Sequence, residues 1–297
     1  AGDPRGQPPS YHAPYGIPTL DEPNDQEYLT DRLTDEAIAF VSDNSDRPFF
    51  LFLPYYTVHT PIEPEDTRLS KYEAKVETVK GDWAHRNPGY AAMIESLDDN
   101  VGRLLKTLDG LAIADQTVVI FASDNGGLVL PSSPWGRVTS NWPLRSGKGS
   151  AYEGGVRVPF IVRWPGATAA GTVNGTKVIS ADIYPTILEI AGVVDPNEST
   201  DGLSLVSTLR GERPLARDAL YWHYPHYHPG GASPYGAVRA GRYKLIEYFE
   251  DMRVELYDLD VDIGEFINLA STLPEQTARL LEMLHVWQTE VGFSRYR

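Results

Sequence analysis

Apolar positions recur at helical spacing between residues 28 and 41, where Leu29, Leu33, Ala37, Ile38 and Val41 fall on one face. An apolar run, Phe49-Phe50-Leu51-Phe52-Leu53, follows Pro48. The first pattern predicts an amphipathic helix and the second a buried strand. The same pair returns further along. Met93, Ile94, Leu97, Val101, Leu104, Leu105 and Leu108 mark a helical face, and residues 117–122, Thr-Val-Val-Ile-Phe-Ala, form another short apolar strand. Runs without polar alternation suit parallel strands covered on both faces. A third strand is expected over residues 158–163, and a helix from Ile183 to about Ala191 that stops at Gly192. Helices alternating with strands predict an α/β fold, a mostly parallel sheet between helices.

The pattern changes after about residue 213. Short stretches at 236–239, 243–248 and 254–257 read as strands separated by turn residues, and residues 274–291 as a terminal helix. This predicts a small antiparallel sheet carrying one helix, and divides the chain into a larger part, 1–212, and a smaller one, 213–297. Residues 1 to about 25 are rich in Pro, Gly and Tyr and poor in aliphatics, so they are expected to lie irregularly over something larger. The first residue is Ala1, with no initiator Met and no charged-then-apolar leader, so the start reads as processed or cut.

Composition narrows the function. The 297 residues are 41% hydrophobic and 23% charged, and no apolar run approaches the roughly 20 residues that cross a bilayer. A formal net charge of -15 argues against nucleic acid as a partner, because phosphate backbones would be repelled. There is no cysteine, which removes disulfides and thiolate metal sites.

Four stretches carry candidate chemistry. Ser123-Asp124-Asn125-Gly126-Gly127 follows the second strand directly. Ligands collect beyond the carboxyl ends of strands in open α/β sheets, so Asp124 and Asn125 are placed to offer oxygen to a hard divalent cation. A tight turn with local hydrogen bonds is the alternative. Next, Lys148 lies between Gly147 and Gly149 in a glycine-rich stretch running to Pro159, where nothing bulky would keep an anion from the ammonium. The spacing argues against a nucleotide loop, since position 143 is Pro where Gly would be needed, and a glycine-rich surface loop with a solvated lysine is the alternative. His59, in Thr57-Val58-His59-Thr60-Pro61, sits just past the first predicted strand, where an imidazole can protonate a leaving oxygen or bind an anion. Finally, His223, His226 and His228 are interleaved with Tyr221, Trp222, Tyr224 and Tyr227. The spacing of His226 and His228 would allow a metal pair, and the aromatics suit a wall that stacks on sugar rings; substrate contact is the reading adopted for all three.

Taken in order, His-Thr-Pro after a strand, Ser-Asp-Asn-Gly-Gly after a strand, and Gly-Lys-Gly followed by Tyr152-Glu153-Gly154-Gly155-Val156-Arg157-Val158-Pro159 resemble the type I, formylglycine-dependent sulfatases. Tyr28-Leu29-Thr30-Asp31, Asp98-Asp99-Asn100-Val101-Gly102, Asp182-Ile183-Tyr184-Pro185-Thr186 and Glu255-Leu256-Tyr257-Asp258-Leu259 extend the resemblance from about residue 20 to 290. It implies an alkaline-phosphatase-like α/β sandwich with a small C-terminal subdomain, and calcium-dependent hydrolysis of a sulfate monoester, small or oligosaccharide, with a galactose-type sugar as first expectation and choline or aryl sulfates as alternatives. It implies Asp124 and Asn125 as calcium ligands, Lys148 as a sulfate-binding catalytic residue and His59 as the histidine near the scissile oxygen. Export, to a periplasmic, extracellular or lysosome-like compartment, is implied in the same way.

The sequence also departs from that family. Its formylglycine arises from Cys or Ser in Cys/Ser-x-Pro-x-Arg, after a pair of metal-binding aspartates, and neither stands here. Ser132-Ser133-Pro134-Trp135-Gly136-Arg137 comes nearest, with its arginine one residue late. The expectation is that about the first third of the enzyme is absent, and that this chain alone is inactive and exposes an apolar sheet edge. Two rivals stand beside it: another alkaline-phosphatase-fold hydrolase, a phosphodiesterase or phosphonate hydrolase, and a noncatalytic module that binds sulfated carbohydrate.

Overall fold

The computed structural model describes residues 10–20, 27–81, 85–193, 200–229 and 232–293. The remainder of the Pro-rich N-terminal stretch, residues 1–9 and 21–26, lies outside them. The chain forms two compact units, one from residues 1–117 with 128–140, the other from 118–127 with 141–297.

The first unit is helical. α1 (Leu29–Asp43) and α2 (Asp66–Val76) both pack on α3 (Pro88–Gly110). α3 starts where Asn87 accepts the Tyr90 N–H at 2.9 Å and Pro88 occupies the first turn, a position that needs no N–H donor. The buried stripe of α3 is offset from the one the apolar residues marked. Ala92, Met93, Ser96 and Asn100 are buried while Ile94 is exposed. Polar residues are tolerated there because they are partnered, Asn100 donating to Asp31 of α1 at 2.6 Å.

The predicted strand at 48–53 is not formed. Among the described residues this segment joins no ladder; residues 49, 51 and 53 are half-buried and Phe50 and Phe52 exposed by 65% and 75%. A strand exists only through a hydrogen-bonded neighbour, and apolar sequence cannot supply one by itself. The described part of the N-terminal stretch does lie over a larger body. Tyr11 and Tyr15 are fully buried with Tyr28, Leu29, Ile62, Met93 and Val138. The Tyr11 hydroxyl donates in a forked bond to the carbonyls of Tyr56 at 2.7 Å and His59 at 3.0 Å.

The second unit contains two sheets. β1 (Val119–Ala122) pairs with β2 (Phe160–Arg163), with α4 (Glu153–Val156) lying between them in sequence. Both strands were expected, but they run antiparallel, correcting the parallel pairing read from their apolar runs. Apolar composition does not determine strand direction, and here it does not bring full burial either, since both strands are only partly buried and Ile161 is exposed. α5 (Ile183–Ile190) stops before Gly192, whose φ of 70° permits the turn, and α6 (Val206–Leu209) follows. Asp182, at the start of α5, is fully buried. It pairs with Arg217 and accepts the N–H groups of Leu203 and Ile179, each at 2.9 Å.

The second sheet is antiparallel in the order β3 (Ala219–Tyr224), β4 (Tyr235–Ala240), β5 (Tyr243–Tyr248), β6 (Val254–Asp258), and α7 (Pro274–Glu290) packs on it. Period-two alternation sends Val238, Leu245 and Leu256 against Leu280 and Leu284 of α7. The opposite face carries Tyr235, Ala237, Ile246 and Tyr257 and packs on Ala151 and Tyr152. Both faces are therefore buried, and charged residues on the second face require partners.

Candidate functional site

β1 ends at Ala122 and the chain turns through Ser123-Asp124-Asn125-Gly126-Gly127. The Ser123 hydroxyl donates to the Asn125 carbonyl at 3.0 Å, and the Asn125 N–H donates to Asp124 Oδ1 at 2.8 Å. Asn125 Nδ2 donates to the Gly126 carbonyl at 3.0 Å. With its nitrogen engaged inside the loop, the half-buried Asn125 amide has its oxygen as the atom that could ligate a cation, and the neighbouring Asp124 is exposed. These two oxygens suit calcium as part of the roughly six to eight it takes. Among the described residues no group of three His, Cys, Asp or Glu could hold a metal.

The next segment is pressed against this turn. The Gly126 N–H donates to the Gly155 carbonyl at 3.0 Å, and a β-carbon at 126 would fall 1.7 Å from the Gly154 oxygen, so only glycine fits. Asn141 links the two loops: its Oδ1 accepts the Gly127 N–H at 3.1 Å, and its Nδ2 lies 2.9 Å from the carbonyls of both Gly127 and Ser146. The Lys148 N–H donates to the Gly127 carbonyl at 3.1 Å. Lys148, Asp124 and Asn125 thus belong to one hydrogen-bonded construction. Nothing local in the sequence singled out Asn141.

His228 joins them. Its ring lies over Gly149, where an added β-carbon would meet it at 2.3 Å. Burial first, and then the Lys148 ammonium, hold the His228 imidazole below its ordinary pKa. His226 is exposed, with its ring edge-on to Tyr224 at 5.6 Å. His223 is directed elsewhere. It packs on Phe249 and Phe293 at 5.4 and 3.9 Å, and strand alternation puts it on the α7 side of β3 with Tyr221. Its Nδ1 is buried without a hydrogen-bond partner, and burial followed by His226 lowers its pKa.

His59 belongs to the first unit. Its Nδ1–H donates to the Thr60 carbonyl at 2.8 Å, which places the other ring nitrogen, Nε2, as the one for any further contact. The near-miss nucleophile motif is a turn of the same unit: the Ser133 hydroxyl donates to the Gly136 carbonyl at 3.0 Å and accepts from Asn87 Nδ2 at 2.8 Å.

The family model described as "Sulfatase" matches residues 5–193, more than half of the chain. The chain belongs to the sulfatase family. A second model, "N-sulphoglucosamine sulphohydrolase, C-terminal", matches residues 147–289. A sulfatase of Formosa agariphila is 40% identical over 84% of this chain and 47% of its own length. An N-acetylgalactosamine-6-O-sulfatase of Bacteroides thetaiotaomicron is 28% identical over 89% of this chain and 52% of its own. The crystal structure of Ps i-CgsB in complex with k-i-k-neocarrahexaose superimposes with a TM-score of 0.76 at 27% identity, over 94% of this chain and 59% of that one. The expected α/β sulfatase fold with a small antiparallel C-terminal sheet is borne out, and the chain spans about half the length of the curated relatives it matches.

Proposed function

We propose that the protein to which this sulfatase chain belongs hydrolyses sulfate monoesters on galactose-type sugars. The observation that carries this reading is Lys148, held by the Gly127 carbonyl next to the Asp124-Asn125 turn and accompanied by His228 over Gly149. An ammonium between two glycines can approach a sulfuryl group closely, and in a site sheltered from water its charge counts for more than in bulk solvent. His228, kept neutral, can accept or donate a hydrogen bond to a sugar hydroxyl. His226 and the tyrosines around it would extend the contact, whereas His223, on the α7 side, would act only through the packing of β3.

A calcium ion held in part by Asp124 and Asn125 would draw negative charge from the sulfuryl oxygens. His59 is proposed as the proton donor to the leaving oxygen from Nε2, a role worth about 10² to 10⁴-fold for an unactivated alkoxide. The family's Cys/Ser-x-Pro-x-Arg motif does not occur in the 297 residues, so this chain by itself is proposed to bind sulfate esters without turning them over. The galactose-type substrate draws support from the neighbour solved with neocarrahexaose and the relative named for N-acetylgalactosamine-6-O-sulfate. The sulfatase family match favours sulfate over a phosphonate or phosphodiester. Export is proposed because polymeric sulfated glycans are met outside the cell; no helix among the described residues is long and apolar enough to cross a membrane.

Calorimetry of this chain against a sulfated galacto-oligosaccharide and its desulfated form, with and without calcium, tests the reading. Binding should require the sulfate, tighten with calcium and fall by about 10²-fold in Lys148→Ala. Equal affinity for both sugars would overturn it.

A further inference from the structure

Beneath the Lys148 loop lies a charged cluster that the proposed chemistry does not use. Glu153 follows Tyr152 at the start of α4, with its side chain 1% exposed. Lys244 Nζ, fully buried, lies 3.0 Å from Glu153 Oε1 and 3.0 Å from Glu265 Oε1. Arg239 Nη1 stands 3.3 Å from Glu153 Oε2. Glu265 accepts the Glu153 backbone N–H at 2.6 Å through Oε2. Arg239 and Lys244 come from β4 and β5, on the sheet face that strand alternation turns toward residues 145–155.

This cluster is connected to the site on both sides. From Glu153 the chain continues through Gly154 and Gly155, whose carbonyl receives the Gly126 N–H directly after Asp124 and Asn125. On the other side, the Gly154 N–H donates to the Arg145 carbonyl at 2.9 Å, and a β-carbon at 154 would lie 2.3 Å from that oxygen. Arg145, three residues before Lys148, is itself fastened to the same ground. Its guanidinium stacks 3.9 Å from the Tyr152 ring and donates to the Glu265 carbonyl at 2.7 Å. Burying three charges is costly unless each is paired. A less costly way to hold a surface loop would be an apolar side chain, so the charges call for a role in fixing geometry.

We propose that Glu153 is a positioning residue. Clamped by Lys244 and Arg239 and backed by Glu265, it fixes the Lys148 loop and the Asp124-Asn125 turn in register with each other, so that cation and anion ligands are set by the C-terminal sheet. The inference rests on the reading of Lys148 and Asp124 as sulfate and calcium ligands. It adds that both affinities depend on a carboxylate that touches neither ligand. A displacement of the loop by about an ångström is enough to cost such a site up to about 10²-fold.

The experiment uses this chain with Glu153→Gln, Arg239→Gln and the charge-preserving Arg239→Lys, read by inorganic sulfate affinity, calcium affinity and amide hydrogen exchange. Glu153→Gln should weaken sulfate and calcium together by about tenfold or more, and lose protection at the amides of Lys148 and Gly126 while β4 and β5 amides stay protected. Arg239→Gln, at the edge of the cluster, should do the same to a smaller extent, and Arg239→Lys should restore most of it. If Glu153→Gln does not fold, Arg239→Gln carries the test. Unchanged affinities and unchanged protection at Lys148 and Gly126, with only a lower melting temperature, would reduce Glu153 to a structural strut and overturn the proposal. If the unaltered chain binds no sulfate, the ligand reading fails instead. Loss of the two amide protections in the variants would then still establish the mechanical coupling, and their persistence would sink it.

Discussion

The α-carbon of Gly126 stands so close to Gly154 that a β-carbon there would lie 1.7 Å from the Gly154 carbonyl oxygen. The obstacle is backbone, which cannot rotate away as a side chain would. Gly126→Ala must therefore push the Asp124-Asn125 turn off the 154–155 segment and break the Gly126 N–H bond to Gly155. The expected cost is about 1–3 kcal/mol of stability by urea denaturation, the range for overpacking. Gly175→Ala, where nothing lies within 4 Å, is the control and should change stability little. Equal effects at the two positions would show that the close approach is not present in solution.

Much of this arrangement was legible from local pattern. The Asp124-Asn125 turn announces itself because aspartate, asparagine and glycine follow an apolar strand, and the Lys148 loop because glycines flank its lysine. The short apolar stretches at 236–239, 243–248 and 254–257, separated by turn residues, gave three strands of the small sheet, and residues 274–291 gave its helix. What escaped depends on contacts distant in sequence. Glu153 meets Lys244 91 residues away, Arg145 reaches Glu265 120 residues on, and Asn141 bridges two loops without any neighbour that marks it. The 48–53 segment failed as a strand for the same reason, since ladder partners are not written in the segment itself. His223 is a different case. Period-two alternation with Tyr221 would have placed it on the α7 side, had residues 219–224 been read as a strand and not as a histidine cluster.

Asp182 should govern part of the acid stability of the second unit. Burial alone would raise its carboxyl, but Arg217 and the N–H groups of Leu203 and Ile179 outweigh this and hold it below the usual aspartate range. A folded-state pKa below the unfolded value gives stability that is complete above the unfolded pKa of about 3.9. That stability is lost as pH falls below it, through the folded value. Asp182→Asn should cost about 3–5 kcal/mol at neutral pH, because it leaves the Arg217 charge uncompensated, and the variant should lose less further stability than the parent on acidification below about pH 4. Thermal unfolding of both proteins across that range would decide it; parallel acid losses would remove Asp182 from the account.

Tyr11 holds the His59 loop from beneath, through the carbonyls of Tyr56 and His59. Tyr11→Phe keeps the buried ring and removes only the donor, so its cost should be about 0.5–1.5 kcal/mol, the net worth of a hydrogen bond, because the Tyr56 carbonyl still accepts the His59 N–H at 2.8 Å. Tyr11→Ala should cost more, about 3–5 kcal/mol, by opening a cavity as well. Chemical denaturation of the two variants separates bond from packing. A Tyr11→Phe protein as stable as the parent would mean that water replaces the hydroxyl.

His228 offers a reporter for the anion site that does not depend on turnover. Burial and the neighbouring Lys148 charge both disfavour its protonated form, so it titrates below the ordinary histidine value of about 6.5 and is neutral at pH 7. Because the folded chain resists a proton that the unfolded chain accepts, His228 should reduce stability as pH falls from about 6.5 through its lowered pKa. A bound sulfate would offset both charges. It should therefore raise the His228 pKa, and by linkage sulfate should bind more tightly as pH falls through the same interval. Nitrogen-detected NMR titration of the imidazole, with and without inorganic sulfate, reads both effects in one experiment. His228→Gln should flatten the pH dependence of sulfate affinity while leaving binding through Lys148 in place. A His228 that titrates at or above 6.5 without sulfate, or ignores sulfate when Lys148 is intact, would dissociate the imidazole from the proposed anion site.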